Sequence, residues 1–455
     1  MSPGDLAGEV QAWVDANWDT SITVREWWFR LAEAGYAYPS WPNGLGGAGV
    51  TRRDAMVILG VLARNDVIGP PVGAMAATLA APTLLQHANE AQRIELVRPI
   101  ATGEAAWCQL FSEPGAGSDL AGVGTRAVPD GDEWVVTGQK VWNSAADSAD
   151  VGMLLTRTDV DVPKHAGMTY FAIDMRQPGI EARPLKQMNG ASNFCEVFLT
   201  EARVHADRVI GEVNGGWRVA QTTLFHERNS VAGGGLPGLV AARSGLAGDL
   251  DCEVGEVLER ACAAASARKS PIRSGALPAK LMVELAQSHG AADDPGIRQE
   301  LARYVSQIRV NGWTMRRSGA AGGKLTGADG SLAKLTTARI CQHSRDLSYR
   351  IVGAQGMLSG RSSPLGGDLH LVNLASPGTR IGAGRTRFSS TSWARRAWGC
   401  PGSRALTRVC PIGISRWERR PGTETAETAR APAAFFPSSY LPLVILQHLG
   451  SRVPP

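Results

Sequence analysis

Apolar residues recur at helical spacing through the first hundred positions, most clearly in Val24-Arg25-Glu26-Trp27-Trp28-Phe29-Arg30-Leu31 and in residues 54–59. Asn89, placed just ahead of a periodic run reaching Leu96, predicts a helix N-cap. The stretch Pro39-Ser40-Trp41-Pro42-Asn43-Gly44-Leu45-Gly46-Gly47 predicts a loop, because proline and glycine at that density break either regular period. From Ala105 the pattern changes to short β-rich runs at Trp134-Val135-Val136, residues 151–155, residues 168–173 and Glu196-Val197-Phe198-Leu199. Turn residues such as Pro129-Asp130-Gly131-Asp132 separate them, and that spacing predicts a small β-barrel or sandwich. After Asn214-Gly215-Gly216-Trp217 the helical period returns through Leu224, Leu236, Leu239 and Leu246, then over residues 301–308 and 332–351. Joining segments 266–278 and 320–330 have the Ser, Gly, Arg and Lys content of loops.

Beyond residue 384 no period is sustained, and the composition is that of a segment that does not fold. Charge sharpens this boundary. The whole chain carries +5, while residues 385–455 hold eleven Arg and three Glu, a balance of +8, which leaves the first 384 residues at −3. A mildly acidic main body gives no footprint for nucleic acid. The longest apolar runs, such as residues 75–85, fall short of a membrane span. Asp5, Glu9 and Asp15 are unlike a secretory leader, so a cytoplasmic location is expected. Seven cysteines without CxxC or CxxH spacing argue against zinc and against a disulfide framework.

The chemistry concentrates in two segments. Phe111-Ser112-Glu113-Pro114-Gly115-Ala116-Gly117-Ser118-Asp119-Leu120 must turn sharply and approach something closely. About twenty residues later comes Gly138-Gln139-Lys140-Val141-Trp142-Asn143-Ser144. Ser112, Ser118 and Ser144 can donate and accept hydrogen bonds, as the carbonyls and ring nitrogens of an isoalloxazine require. Trp142 offers a flat face. Taken separately, the segments read as a hairpin loop and a core tryptophan.

Together these segments resemble the flavin-binding signatures of the acyl-CoA dehydrogenase family, and the resemblance extends from about Val24 to Gly384. It implies an α+β fold: an N-terminal helical domain (1–104), a central β-barrel or sandwich domain (105–215) and a C-terminal helical bundle (216–384); the disordered tail at 385–455 is read from composition alone. It implies FAD as cofactor and an acyl-CoA substrate oxidised to 2,3-enoyl-CoA. Electrons would pass to an electron-transfer flavoprotein, and the chain would work as a homo- or hetero-oligomer. By the same resemblance Ser112 and Ser144 would hydrogen-bond the flavin, Trp142 would lie over its ring, and Leu110 and Gly117 would contribute to cofactor binding. Ser118 would face the pantetheine or phosphate part of the thioester, and Leu224 the substrate. Gln355 and Gly356, in Ile351-Val352-Gly353-Ala354-Gln355-Gly356, resemble a dinucleotide-contacting turn.

The reaction requires a carboxylate that removes an α-proton while hydride leaves the β-carbon. In the family this glutamate occurs in a loop before a C-terminal Gly-Thr or on the first long helix of the bundle. The loop position here is Ala383, which cannot act as a base, although its N–H could still polarise the thioester carbonyl. The helical position is Glu227, in Leu224-Phe225-His226-Glu227-Arg228-Asn229, with Arg228 as a family-like active-site arginine. Residues 267–285 lack the family's Arg-x-x-Phe-Gly stretch, by which one subunit grips its neighbour's flavin pyrophosphate. A non-catalytic partner subunit of a mixed assembly, an acyl-CoA oxidase or a flavin monooxygenase are the alternative readings.

The family chain also continues past residue 384 with a Gly-Thr-x-Glu-Ile-Gln-x-Asn-Ile-Leu-Gly helix. Re-reading the codons of residues 384–392 one nucleotide upstream allows Thr, Asp or Asn, Glu, Ile, Gln, Phe or Leu, Asn, Ile and Leu. The single tryptophan codon forces a glycine at both the Trp393-Ala394 and Trp398-Gly399 junctions. A shifted reading frame from about Gly384 is the expectation for this tail.

Overall fold

The computed structural model describes residues 3–71, 75–230, 239–267, 275–320, 327–360 and 362–382. Backbone contacts divide the chain into Met1–Gly402 and Ser403–Pro455, and every described residue belongs to the first unit. Leu236, Ala383, the tail and parts of the joining segments 266–278 and 320–330 lie outside the described residues.

Helices α1 (Pro3–Asn17), α2 (Val24–Glu33), α3 (Arg52–Arg64), α4 (Ala81–His87) and α5 (Glu90–Ala101) open the chain. Thr23 caps α2, and Asn89 caps α5 through a capping box with Gln92, as its position predicted. Trp27 and Trp28 are buried in the first core, their indole N–H groups donating to Ile68 O (2.7 Å) and Gly69 O (2.8 Å). Trp28 also dictates Gly103. A Cβ there would lie 2.1 Å from the indole, and the φ of +75° lies in the left-handed region that favours glycine.

The central region is one curled seven-stranded sheet: β1 (Trp107–Leu110), β2 (Arg126–Asp130), β3 (Glu133–Ser144), β4 (Val151–Arg157), β5 (Met168–Asp174), β6 (Ile180–Leu185) and β7 (Phe194–His205). Its order is β1-β4-β2-β3-β7-β6, with β5 pairing β4. β1 lies parallel to β4, so it enters from the helical region and delivers the first signature segment at its end.

The remaining helices are α6 (Gly216–Ser230), α7 (Val254–Ala267), α8 (Ala279–Ser288), α9 (Pro295–Ala320), α10 (Gly327–Val352) and α11 (Asp368–Ala375). The helical period expected through Leu239 and Leu246 is not realised: residues 239–253 are non-helical. Gly245 has φ +87°, and its N–H donates to Gly103 O at 2.8 Å. Asp150 accepts from Leu246 N at 3.2 Å. Tertiary hydrogen bonding thus replaces the helical ladder that the leucine spacing suggested. The segment returns to the first core, where Leu250 and Val254 join Val24 and Trp27.

Candidate active site

β1 runs directly into the first signature segment. Glu113 and Ala116 exchange backbone hydrogen bonds of 2.9 and 3.1 Å around Pro114-Gly115, a tight turn for which proline presets φ. A Cβ on Gly115 or Gly117 would meet nothing within 4 Å, so this turn has an open face. Ser112 is half-buried, and its carbonyl accepts from Val141 N at 2.9 Å. The two signature segments are therefore hydrogen-bonded neighbours.

A buried ion pair locks them together. Lys140 has a fully buried side chain, and its Nζ donates to Glu113 Oε1 (2.8 Å), Phe111 O (3.2 Å) and Leu155 O (2.7 Å), using all three ammonium protons. Gly124 and Thr125 N–H groups donate to the same carboxylate at 2.7 and 3.0 Å. Burial pushes the Lys140 ammonium down to about 8, outweighing the attraction of Glu113. Burial pushes Glu113 upward, but Lys140 and the donors from Thr125 and Gly124 together outweigh it and hold the carboxyl below its usual range.

Two residues further along β3 the pairing with β7 slips between Val141 and Asn143, making Trp142 a bulge residue. Its φ is +63°, a strained conformation for a bulky side chain. The bulge turns the indole outward, leaving it 61% exposed with Phe194 edge-on at 6.1 Å. The core-tryptophan reading is thereby overturned. Asn143 is buried, its Nδ2 donates to Gln109 O at 2.6 Å, and its Oδ1 has no hydrogen-bond partner.

Helix α6 is docked on β5 by Gly216, where a Cβ would lie 2.6 Å from the Thr169 carbonyl carbon. Eleven residues on, Glu227 Oε2 accepts from Gln109 Nε2 of β1 at 3.4 Å. The helical carboxylate thus faces the strand that leads into the first signature segment. Arg228 packs against α10, where a Cβ on Gly330 would lie 3.2 Å from its own Cβ. Burial holds the His226 imidazole below its ordinary value. Leu224 is half-buried against a core that includes Phe111 and Tyr170.

The other sequence-predicted residues are placed unevenly. Leu110 is fully buried under the sheet, which leaves its backbone for any ligand contact. Gly117 and Ser118 are exposed on the open turn, next to the Asp119–Lys164 ion pair (2.6 Å). Ser144 is half-buried at the end of β3. Gln355 and Gly356 lie beyond the C-terminus of α10, Gln355 Oε1 bonded to His289 Nε2 at 3.2 Å. At a helical rise of 1.5 Å per residue, Val352 is about 33 Å along α10 from Gly330, so these two residues are not brought to the Glu227 end. Sequence reasoning missed Gln109, Glu113, Lys140 and Asn143. Lys140 could have been found, since Val136, Gly138 and Lys140 share one face of β3 and the side chain must therefore be buried.

The residues present fit a flavin: an uncovered indole face, two half-buried serine hydroxyls and a glycine turn with open space before it. Among the described residues no helix is long and apolar enough to cross a membrane.

The family model described as acyl-CoA dehydrogenase, N-terminal domain, matches residues 6–104, and that described as acyl-CoA dehydrogenase, middle domain, matches residues 108–202. The chain is 40% identical over 297 residues to acyl-CoA dehydrogenase FadE34 of Mycobacterium tuberculosis, covering 62% of this chain and 40% of that protein. It is 33% identical over 334 residues to acyl-CoA dehydrogenase IpdE1 of the same organism, covering 73% of this chain and 77% of that protein. The chain thus spans two fifths of the length of the first relative and about three quarters of the second. Among solved structures, the Tcur3481-Tcur3483 steroid ACAD superposes with a TM-score of 0.61 at 24% identity, over 88% of this chain and 98% of that one. At that identity the likeness speaks for the fold.

Proposed function

This chain belongs to the acyl-CoA dehydrogenase family, an oxidoreductase family of flavoproteins, and from that premise we propose that it oxidises an acyl-CoA to the 2,3-enoyl-CoA with FAD. Electrons pass to an electron-transfer flavoprotein. Hydride acceptance from the substrate β-carbon is the chemistry that bound FAD supplies. Glu227 takes the α-proton, and Arg228 supplies positive charge beside it. Ser112 and Ser144 offer hydrogen bonds to the cofactor, Trp142 covers its ring, and Leu110 and Gly117 approach it through the backbone. Ser118 faces the pantetheine or phosphate portion of the substrate, and Leu224 the acyl portion. Gln355 and Gly356 serve the dinucleotide end of a neighbouring subunit's cofactor.

The observation that carries this reading is the contact of Glu227 with Gln109. A carboxylate on the first long helix after the sheet reaches the strand that leads into the flavin-compatible turn, where proton abstraction and hydride transfer can be concerted across one substrate. Partial enclosure against an apolar acyl chain would raise that carboxylate's pKa toward the working range. The test is purification of the full chain: flavin absorption that bleaches on adding acyl-CoA supports the enzyme. The missing Arg-x-x-Phe-Gly stretch in residues 267–285 favours a second reading, a non-catalytic partner subunit. A soluble but colourless protein would select it.

A further inference from the structure

Proton abstraction needs its carboxylate in fixed register with the hydride acceptor on the other side of the substrate. Glu227 stands on α6, whereas the flavin-compatible segments stand on the sheet. One hydrogen-bonded path joins them. Asn143, next to the bulged Trp142, donates through Nδ2 to Gln109 O at 2.6 Å. The side chain of the same Gln109 donates through Nε2 to Glu227 Oε2 at 3.4 Å. Gln109 is held in β1 by parallel pairing, opposite Met153 of β4. Its backbone thus belongs to the sheet and its amide to the base. At 3.4 Å the second contact is long, as catalytic hydrogen bonds commonly are before substrate tightens them.

We propose that Gln109 is a positioning residue that aligns Glu227 with the Trp142 bulge and keeps its carboxylate in the ionised, proton-accepting form. The proposal rests on the reading of Glu227 as the base. A primary amide donates to a carboxylate and does not itself titrate, so it favours the charged form across the working pH range. Charged neighbours act on Glu227 as well. His226 and Arg228 flank it on α6, and Lys334 of α10, buried and itself influenced by Cys341 and Arg380, lies within its electrostatic reach. Arg228 and Lys334 favour ionisation independently, whereas His226 is held below its ordinary value by burial and adds little charge, so the test must isolate the amide.

Leucine at position 109 keeps an apolar stem of similar size and removes the donor. With the full 455-residue chain, kcat/KM is profiled against pH for wild type, Gln109→Leu, Glu227→Gln and the double variant, using an acyl-CoA and a dye acceptor. Gln109→Leu should keep the flavin spectrum and a single cooperative unfolding transition, and should move the acid limb upward by about one pH unit, the scale of a lost hydrogen bond to a charged group. In the Glu227→Gln background it should change residual turnover no further. An unmoved limb, or an equal loss in both backgrounds, overturns the positioning role. Near-normal turnover of Glu227→Gln alone instead overturns the base assignment beneath it. Where turnover is too slow to profile, urea unfolding of Gln109→Leu, Glu227→Leu and the double variant carries the test. The two substitutions should be coupled by about tenfold in the unfolding constant, and strict additivity sinks the proposal.

Discussion

Lys140 sits in the middle of a strand with no solvent exposure, a position that lysine takes only with full pairing. Removing one member of such a pair leaves a buried charge, so Lys140→Met should destabilise the chain by about 3–5 kcal/mol, while Lys140→Met with Glu113→Leu should lose much less. Urea unfolding of the three variants measures the difference. The pH dependence has two opposite arms. Glu113 has a folded pKa below its ordinary 4.5, so its contribution is present above that value and disappears as pH falls through the folded one. Lys140 has a folded pKa of about 8 against 10.5 unfolded, so between those values the unfolded chain holds the extra proton and stability rises with pH. Wild type should show both arms, whereas Lys140→Met should lose the alkaline arm and have a weaker acid arm, because Glu113 then keeps its burial and its Gly124 and Thr125 donors but not the lysine, and identical profiles would show that the pair does not titrate this way. Two substitutions test the proposed chemistry directly. Glu227→Gln should keep flavin binding and reduce turnover by at least about 10²-fold, the lower range for loss of a general base. Trp142→Ala should lower flavin affinity or shift the flavin absorption band, and an unchanged spectrum and affinity would remove Trp142 from the cofactor site.

At the level of elements, α2, α3, α5, α6, α9, α10 and the longer strands were legible because period and length agree, whereas α7, α8 and α11 were not read individually. The Asn89 cap was legible because a side-chain acceptor before a periodic run has few other uses. Replacing it with alanine should cost about 1 kcal/mol, read as a lower melting temperature. β1, β2 and β6 went unread, and Pro129-Asp130, expected in a turn, close β2, whose side chains are mostly exposed. β1 has four residues, and β6 carries Pro184 with mostly outward side chains, so neither offers a strong alternating signal. The bulge at Trp142 was invisible for another reason: it depends on which residue of β7 lies opposite, and pairing register is not written in one strand. Gly103→Ala probes tertiary fit in the same way. Its Cβ would overlap Trp28 at a backbone angle that suits glycine, so a loss of about 2–4 kcal/mol is expected from overpacking and strain combined. An alanine variant as stable as wild type would mean that Trp28 can move aside.

For the whole molecule, the sequence yielded the helix, sheet, helix order and both flavin-compatible segments, but not their mutual contacts, because Gln109 and Glu227 are more than a hundred positions apart. The frame-shift reading of residues 385–455 is settled by sequencing the coding DNA around Gly384. A shifted gene should yield the Glu-Ile-Gln-like helix on single-nucleotide re-reading, and a chain as given that purifies stable and fully flavinylated would rule that reading out. The length of α10 has a further consequence. With about 33 Å of rigid helix between the Arg228 contact and the Gln355 turn, one subunit that uses both ends must serve two different cofactors. Cofactor retention then becomes a property of mass action: dilution should release flavin and dissociate subunits over the same concentration range, and the fraction of yellow protein becomes a gauge of assembly.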